Sequence, residues 1–219
     1  MTTKTLRHVV KPLVFVAALL PVGLLVWRAV TGTLGANPLE AITHATGDWT
    51  LRFLLLTLAM TPLRTLTGWN PLVRFRRMLG LFAFFYGTQH LLTYLWFDQS
   101  FSWPGILHDI PKRPFITVGF LAFVLMVPLA ATSTAGMIRR LGGRRWQALH
   151  RLVYVSAVAG VVHYWWLVKA DVSLPRVYAV VLATLLTVRA AVAVRRRIPT
   201  AGRSARPSSG PAPSSAARR

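Results

Sequence analysis

The sequence predicts an all-α polytopic membrane protein, a bundle of six transmembrane helices with both termini in the cytoplasm. Three observations carry that reading. The 219-residue chain is 54% hydrophobic, has a mean hydropathy of +0.49 and holds only 14% charged residues, which is too apolar for an ordinary soluble fold. Its apolar residues gather into six runs, each long enough to cross a hydrocarbon core of about 30 Å as a helix. Its charge is lopsided: 26 Lys and Arg stand against five Asp and Glu, a net +21, and most of the cations cluster before the first run, between alternate runs and at the end of the chain.

The first run covers 12–30, behind a cytoplasmic lead of residues 1–11 that carries Lys4, Arg7 and Lys11. A basic lead ahead of an apolar stretch also describes a signal peptide. No clear small-residue cleavage site follows, however, and the run continues through Trp27, so it reads as an uncleaved helix. The second and third runs, 50–66 and 78–97, are separated by Arg64, Arg74, Arg76 and Arg77. The fourth and fifth, 115–132 and 147–168, enclose Arg139, Arg140, Arg144, Arg145 and Arg151. With the sixth, 176–194, they make residues 12–194 one transmembrane domain. Residues 195–219 turn to Arg, Pro, Ser, Gly and Ala without large apolar residues, so this cytoplasmic tail is expected to be disordered, its arginines resting on anionic lipid.

Twenty of the 26 cations fall on one side of this arrangement; the other side holds six, together with all five acids, Glu40, Asp48, Asp98, Asp109 and Asp171. The positive-inside rule puts the cation-rich side, and so both termini, in the cytoplasm. Trp27, Trp49, Trp96, Trp103, Trp146, Trp165 and Trp166 lie near the ends of runs, where an amphipathic ring prefers the headgroup zone.

These features exclude several classes. A chain this basic suggests phosphate neutralisation, but removing the apolar runs leaves no soluble basic domain, so nucleic acid is not the partner. The absence of cysteine removes disulfides, thiolate metal sites and a cysteine nucleophile. No Walker loop, dinucleotide fingerprint or HExxH zinc motif occurs. A transporter or channel would place acids or broken helices at the bilayer midplane, whereas all five acids lie in loops on one side.

Ionisable groups at membrane depth are costly and mark function, so the histidines carry the most information. His8, His44 and His108 fall in the lead or in loops. His90 lies in the third run, about seven residues before its periplasmic end, and His163 in the fifth, about six residues before Lys169. Both runs point outward, which brings His90 and His163 to one depth, as axial ligands on opposite faces of a haem iron require. His150 lies 13 residues before His163, about 20 Å along one helix and about 140° around it, so one histidine serves each leaflet. Counting back 13 from His90 reaches Arg77, not a histidine, so Arg76 and Arg77 are candidates for haem propionate contacts. Three roles stay open to His150: iron ligand of a second haem, alternative ligand of the first, or a group beside a quinone or flavin. A lone membrane histidine more often makes an interhelical hydrogen bond and binds nothing; three histidines so placed favour haem.

The segments RFRRMLGLFAFFYGTQHLLTYL, ATSTAGMIRRLGGRRWQALHRLVYVSAVAGVVHYWWLVK and TLGANPLEAITHATG together resemble the MsrQ family. These are haem-binding membrane subunits of bacterial methionine sulfoxide reductase systems, within the ferric-reductase-like transmembrane superfamily. The resemblance covers about residues 7–198, and RRWQALH with the following His163 is its most specific part. It implies a multi-pass protein of the bacterial inner membrane that carries b-type haem, one or two, on His90, His150 and His163. It further implies FMN, for which no residue suggests a site. Electrons would come from a cytoplasmic flavin reductase or the membrane quinone pool and go to a periplasmic molybdopterin enzyme, MsrP. That partner would carry out the substrate chemistry, returning methionine sulfoxide to methionine in oxidised proteins. The alternative is a ferric reductase or a cytochrome b subunit of another complex, because the scaffold is shared and a fold does not fix its partner.

Overall fold

The computed structural model describes residues 3–168 and 170–195, and among them it is all helix, turn and loop. A short lead, α1 (Thr3–Thr5) and a π-helical turn (Leu6–Val10), runs into α2 (Lys11–Val30). The long α3 (Pro38–Thr67) returns across the molecule. It starts at an Asn37 cap, whose Oδ1 accepts from the Glu40 amide at 3.2 Å, and ends at Gly68, which takes φ 69° as a left-handed C-cap does. A 3-10 turn (Asn70–Phe75) leads to α4 (Arg76–Thr93), extended by a π-helical turn (Tyr94–Asp98). Then follow α5 (Trp103–Lys112), α6 (Pro114–Ala131), two seven-residue helices α7 (Ala135–Leu141) and α8 (Gly143–Leu149), α9 (Leu152–Leu167) and α10 (Ser173–Arg195). Among the described residues, three helical stretches are long and apolar enough to cross a membrane: Leu6–Val30, α6 and α10. Their outward residues, such as Leu13, Leu24, Val177 and Val180, are large and apolar, the inverse of a water-soluble surface.

The bundle is organised as two hairpins, α3 against α4 and α6 against α9, facing each other, with α2 and α10 packed on the outside. Small side chains at the contacts let backbones approach: Ala83 and Ala157 are fully buried, and the buried Ser156 hydroxyl on α9 donates to the Ala122 carbonyl of α6 at 2.8 Å.

Two polar ties hold helices that contain a proline. Tyr86 on α4 donates its hydroxyl to the Ala18 carbonyl at 2.8 Å and accepts from the Val22 amide at 3.2 Å. Pro21, which has no amide hydrogen to give the Ala17 carbonyl, lies between these two groups in the chain. Removing this hydroxyl in Tyr86→Phe is expected to lower stability by about 1–2 kcal/mol. Denaturant unfolding in mixed micelles measures it, and an unchanged midpoint counts against the tie. The second tie is at Pro62, inside α3, which has no amide hydrogen to give Leu58. Arg189 of α10 supplies the missing donors: its Nε and Nη2 reach the Leu58 carbonyl at 3.1 and 2.7 Å, while Nη1 donates to the Tyr154 hydroxyl at 2.8 Å.

Two of the six runs differ from the sequence reading, and helix α5 lies where the sequence reads as loop. The fifth run is not one helix. The chain breaks at His150–Arg151, where the Arg151, Val153 and Tyr154 amides reach back three residues instead of four. His150 and His163 therefore do not share a helix, and the rise and angle computed for one do not apply. The second run belongs to a helix that begins twelve residues earlier, because Glu40, His44 and Asp48 lower its hydropathy without ending it. Beyond Arg195, the expected tail lies outside the described residues.

Candidate functional site

His90 of α4 and His163 of α9 face one another, with ring centroids 6.0 Å apart and ring planes at 73°. Each is held by its own hairpin partner. His90 Nδ1 lies 3.0 Å from the Thr43 carbonyl of α3, and His163 Nδ1 lies 2.6 Å from the Phe115 carbonyl of α6. A carbonyl only accepts, so each Nδ1 carries the hydrogen and each Nε2 keeps its lone pair. Neither Nε2 has a hydrogen-bond partner among the described residues. This is the arrangement in which a carbonyl behind each imidazole orients it as a metal ligand.

The same seat is built twice. One turn beyond each accepting carbonyl stands a glycine: Gly47 after Thr43 and Gly119 after Phe115. A Cβ on Gly119 would lie 2.6 Å from His163 Nδ1, and one on Gly47 would lie 3.1 Å from His90 Cε1. The missing side chain is what lets each imidazole lie over the turn and reach its carbonyl. The sequence reading missed both glycines. Their signal is a four-residue spacing from a carbonyl that only the fold identifies.

A cavity of about 440 Å³ surrounds the two rings, within the range of cofactor sites, and its walls are chiefly apolar. Glycines from all four central helices line it, Gly47, Gly87, Gly119 and Gly160. These residues fit a haem. A metal bonded to one nitrogen of each ring at about 2 Å would put the ring centroids on the order of 6 Å apart, and glycine walls admit a flat macrocycle. At the open end, Arg113 is the one Lys or Arg among the described lining residues. It is held by Asp109 at 2.9 Å and Asp98 at 3.7 Å, and Asp109 also accepts from Tyr94 at 3.0 Å.

His150 is elsewhere and does not line the cavity. It sits at the end of α8, stacked on Trp146 with centroids 3.8 Å apart, and its Nδ1 donates to the Trp146 carbonyl at 3.0 Å. Its Nε2 lies 3.5 Å from the Ser133 hydroxyl, too far for a strong bond, so that nitrogen also keeps a lone pair. Arg76 opens α4 within electrostatic reach of His150 and of Arg189. Neither Arg76 nor the exposed Arg77 lines the cavity or makes an ion pair among the described residues.

Two helical hairpins oppose two histidines in an apolar bundle, and residues 46–161 match the family described as ferric reductase like transmembrane component. Closer relatives narrow it. Proteins named protein-methionine-sulfoxide reductase heme-binding subunit MsrQ are 57% identical in Herminiimonas arsenicoxydans, over 86% of this chain and 87% of the relative, and 59% identical in Rhodospirillum rubrum, over 84% and 88%. A third, from Xanthomonas oryzae pv. oryzae, is 51% identical over 95% of this chain and 98% of its own length. The chain belongs to the MsrQ family of ferric-reductase-like membrane proteins.

Proposed function

We propose that this chain is a b-type cytochrome that carries electrons across the bacterial inner membrane to a periplasmic methionine sulfoxide reductase, the molybdopterin enzyme MsrP. The observation that carries the reading is the pair of opposed imidazoles, each with Nδ1 pinned and Nε2 free. Family membership and the charge split support the rest: six spans, both termini in the cytoplasm, and the His90–His163 cavity opening towards the periplasm.

When bound, haem supplies a one-electron change between ferric and ferrous iron. The protein's part is to hold and insulate it. His90 and His163 ligate the iron, the Thr43 and Phe115 carbonyls set the tautomer of each ring and raise its basicity, and the apolar walls lower the local dielectric. His150 is the candidate ligand or contact of a second group in the cytoplasmic half, with Arg76 and Arg77 as partners for carboxylates there. A cytoplasmic flavin reductase or a membrane quinone is the donor, and FMN enters on family resemblance alone. Reducing one sulfoxide to a thioether and water takes two electrons and two protons, so a one-electron conduit must be used twice per repaired methionine.

The test is a pair of visible spectra, oxidised and reduced, of the protein purified in mild detergent. A Soret and α-band change of b haem is expected, and its absence ends the conduit reading. Adding the periplasmic enzyme with methionine sulfoxide should then reoxidise the reduced protein. Reoxidation by a ferric chelate and not by the sulfoxide couple would move the chain to the ferric reductase reading.

A further inference from the structure

Helix α5, ten residues long, is too short to cross a bilayer, yet it exposes large apolar side chains. Trp103 and Leu107, about 40° apart around the helix, are 68% and 71% exposed. Trp96 and Phe101 on the preceding turn, 62% and 49% exposed, pack against each other with ring centroids 6.2 Å apart and extend the same ledge. A second flank, about 60–120° from Trp103 in the other sense, is anchored: Ile106 is buried, and Asp109 holds Arg113 and the Tyr94 hydroxyl. The exposed polar residues His108 and Lys112 lie about 140° and 180° from Trp103. The helix therefore has a bundle flank, an apolar flank and a polar flank. It ends at Lys112, and the membrane-crossing α6 begins at Pro114.

We propose that α5 is a membrane-surface helix, lying in the headgroup–acyl boundary of the leaflet at the cavity's open end, with lipid as the partner of its Trp103–Leu107 face. The inference rests on the reading that the chain spans a membrane. Three features favour lipid over a protein partner. The ledge is continuous with the start of a membrane-crossing helix. Its residues are the Trp, Phe and Leu that interfacial helices insert. Exposed Trp27, at the end of α2, and Trp165 and Trp166, near the end of α9, mark the same end of the bundle as an aromatic belt. One consequence concerns the cavity: Asp109 ties α5 to Arg113 on the rim, so a lipid-seated α5 holds the mouth at headgroup level, where a water-soluble partner reaches it.

The chain has no cysteine, so a single introduced one is a unique label site. Trp103→Cys, Leu107→Cys, His108→Cys and Lys112→Cys are each spin-labelled and reconstituted in phosphatidylethanolamine–phosphatidylglycerol vesicles. Leu121→Cys on the outer face of α6 serves as the lipid control and Ala36→Cys as the water control. Power saturation with oxygen and with a water-soluble nickel chelate reads the environment of each label. Labels at 103 and 107 are expected to be several-fold more accessible to oxygen than to nickel, and labels at 108 and 112 the reverse. Aqueous values at all four positions overturn the inference, as does protection from both reagents at 103 and 107, which would place a second copy or another subunit on this face. If the Leu121 label itself reads as aqueous, the membrane placement falls and this inference with it; a lipid value there with aqueous values at 103 and 107 sinks the inference alone.

Discussion

Replacing His163 or His90 with alanine is expected to remove most of the b-haem absorbance from the purified protein, whereas His150→Ala costs only part of it. The difference follows from position. His90 and His163 stand on opposite sides of one cavity with ring centroids 6.0 Å apart, and His150 does not line that cavity. Haem content per protein, from the reduced-minus-oxidised spectrum, reads the outcome; full retention in His163→Ala would overturn the pairing. The glycine seats sharpen the expectation without touching a ligand. Gly119→Ala places a Cβ 2.6 Å from His163 Nδ1, a distance that real contacts do not reach, so the imidazole must move off the Phe115 carbonyl. Gly47→Ala makes a milder contact, 3.1 Å to His90 Cε1, that a small shift relieves. Haem loss should therefore be greater for Gly119→Ala than for Gly47→Ala. The reverse order would mean that the seats do not control ring placement.

How much of this was legible in the sequence depends on the kind of signal each feature leaves. The three histidines stood out as candidates because ionisable groups inside apolar runs are costly, and three so placed weigh more than one. The common depth of His90 and His163 followed from counting residues to charged run ends, and the structure places their rings side by side. The break at His150–Arg151 was not legible, because it has no proline or glycine of its own and consists of a change in hydrogen-bond step. Helix α5 escaped notice because hydropathy marks spans, and ten residues containing Pro104 and Pro111 read as loop. The glycine seats were invisible because T-x-x-x-G and F-x-x-x-G are ordinary in membrane helices until a ring lies on them. The role of Arg189 was not legible for a different reason. It stands in VRAAVAVRRR and entered only the count of cations on the cytoplasmic side, whereas the structure shows it bonded to a backbone carbonyl 131 residues earlier.

That bond makes a quantitative prediction about the pairing of Arg189 with Pro62. In a bilayer, an unpaired backbone carbonyl has no water to fall back on, so the gap that Pro62 leaves at Leu58 must be filled by another helix. Arg189→Met keeps the length and packing of the side chain but removes every donor, and is expected to destabilise the protein by about 2–3 kcal/mol, since it orphans a buried acceptor. Arg189→Lys, with one ammonium in place of a fork, should recover part of that. If the Leu58 carbonyl is the reason, giving it back an intrahelical partner should relieve the need for the arginine. Pro62→Ala supplies the amide at the right position, four residues on, and the Arg189→Met penalty in that background is expected to shrink by about 1–2 kcal/mol. Denaturant unfolding of the four proteins in mixed micelles, followed by circular dichroism, closes the cycle. Equal penalties in both backgrounds would show that Arg189 acts through Tyr154, whose hydroxyl it meets at 2.8 Å and whose ring lies 5.4 Å from the guanidinium carbon, and not through the proline gap.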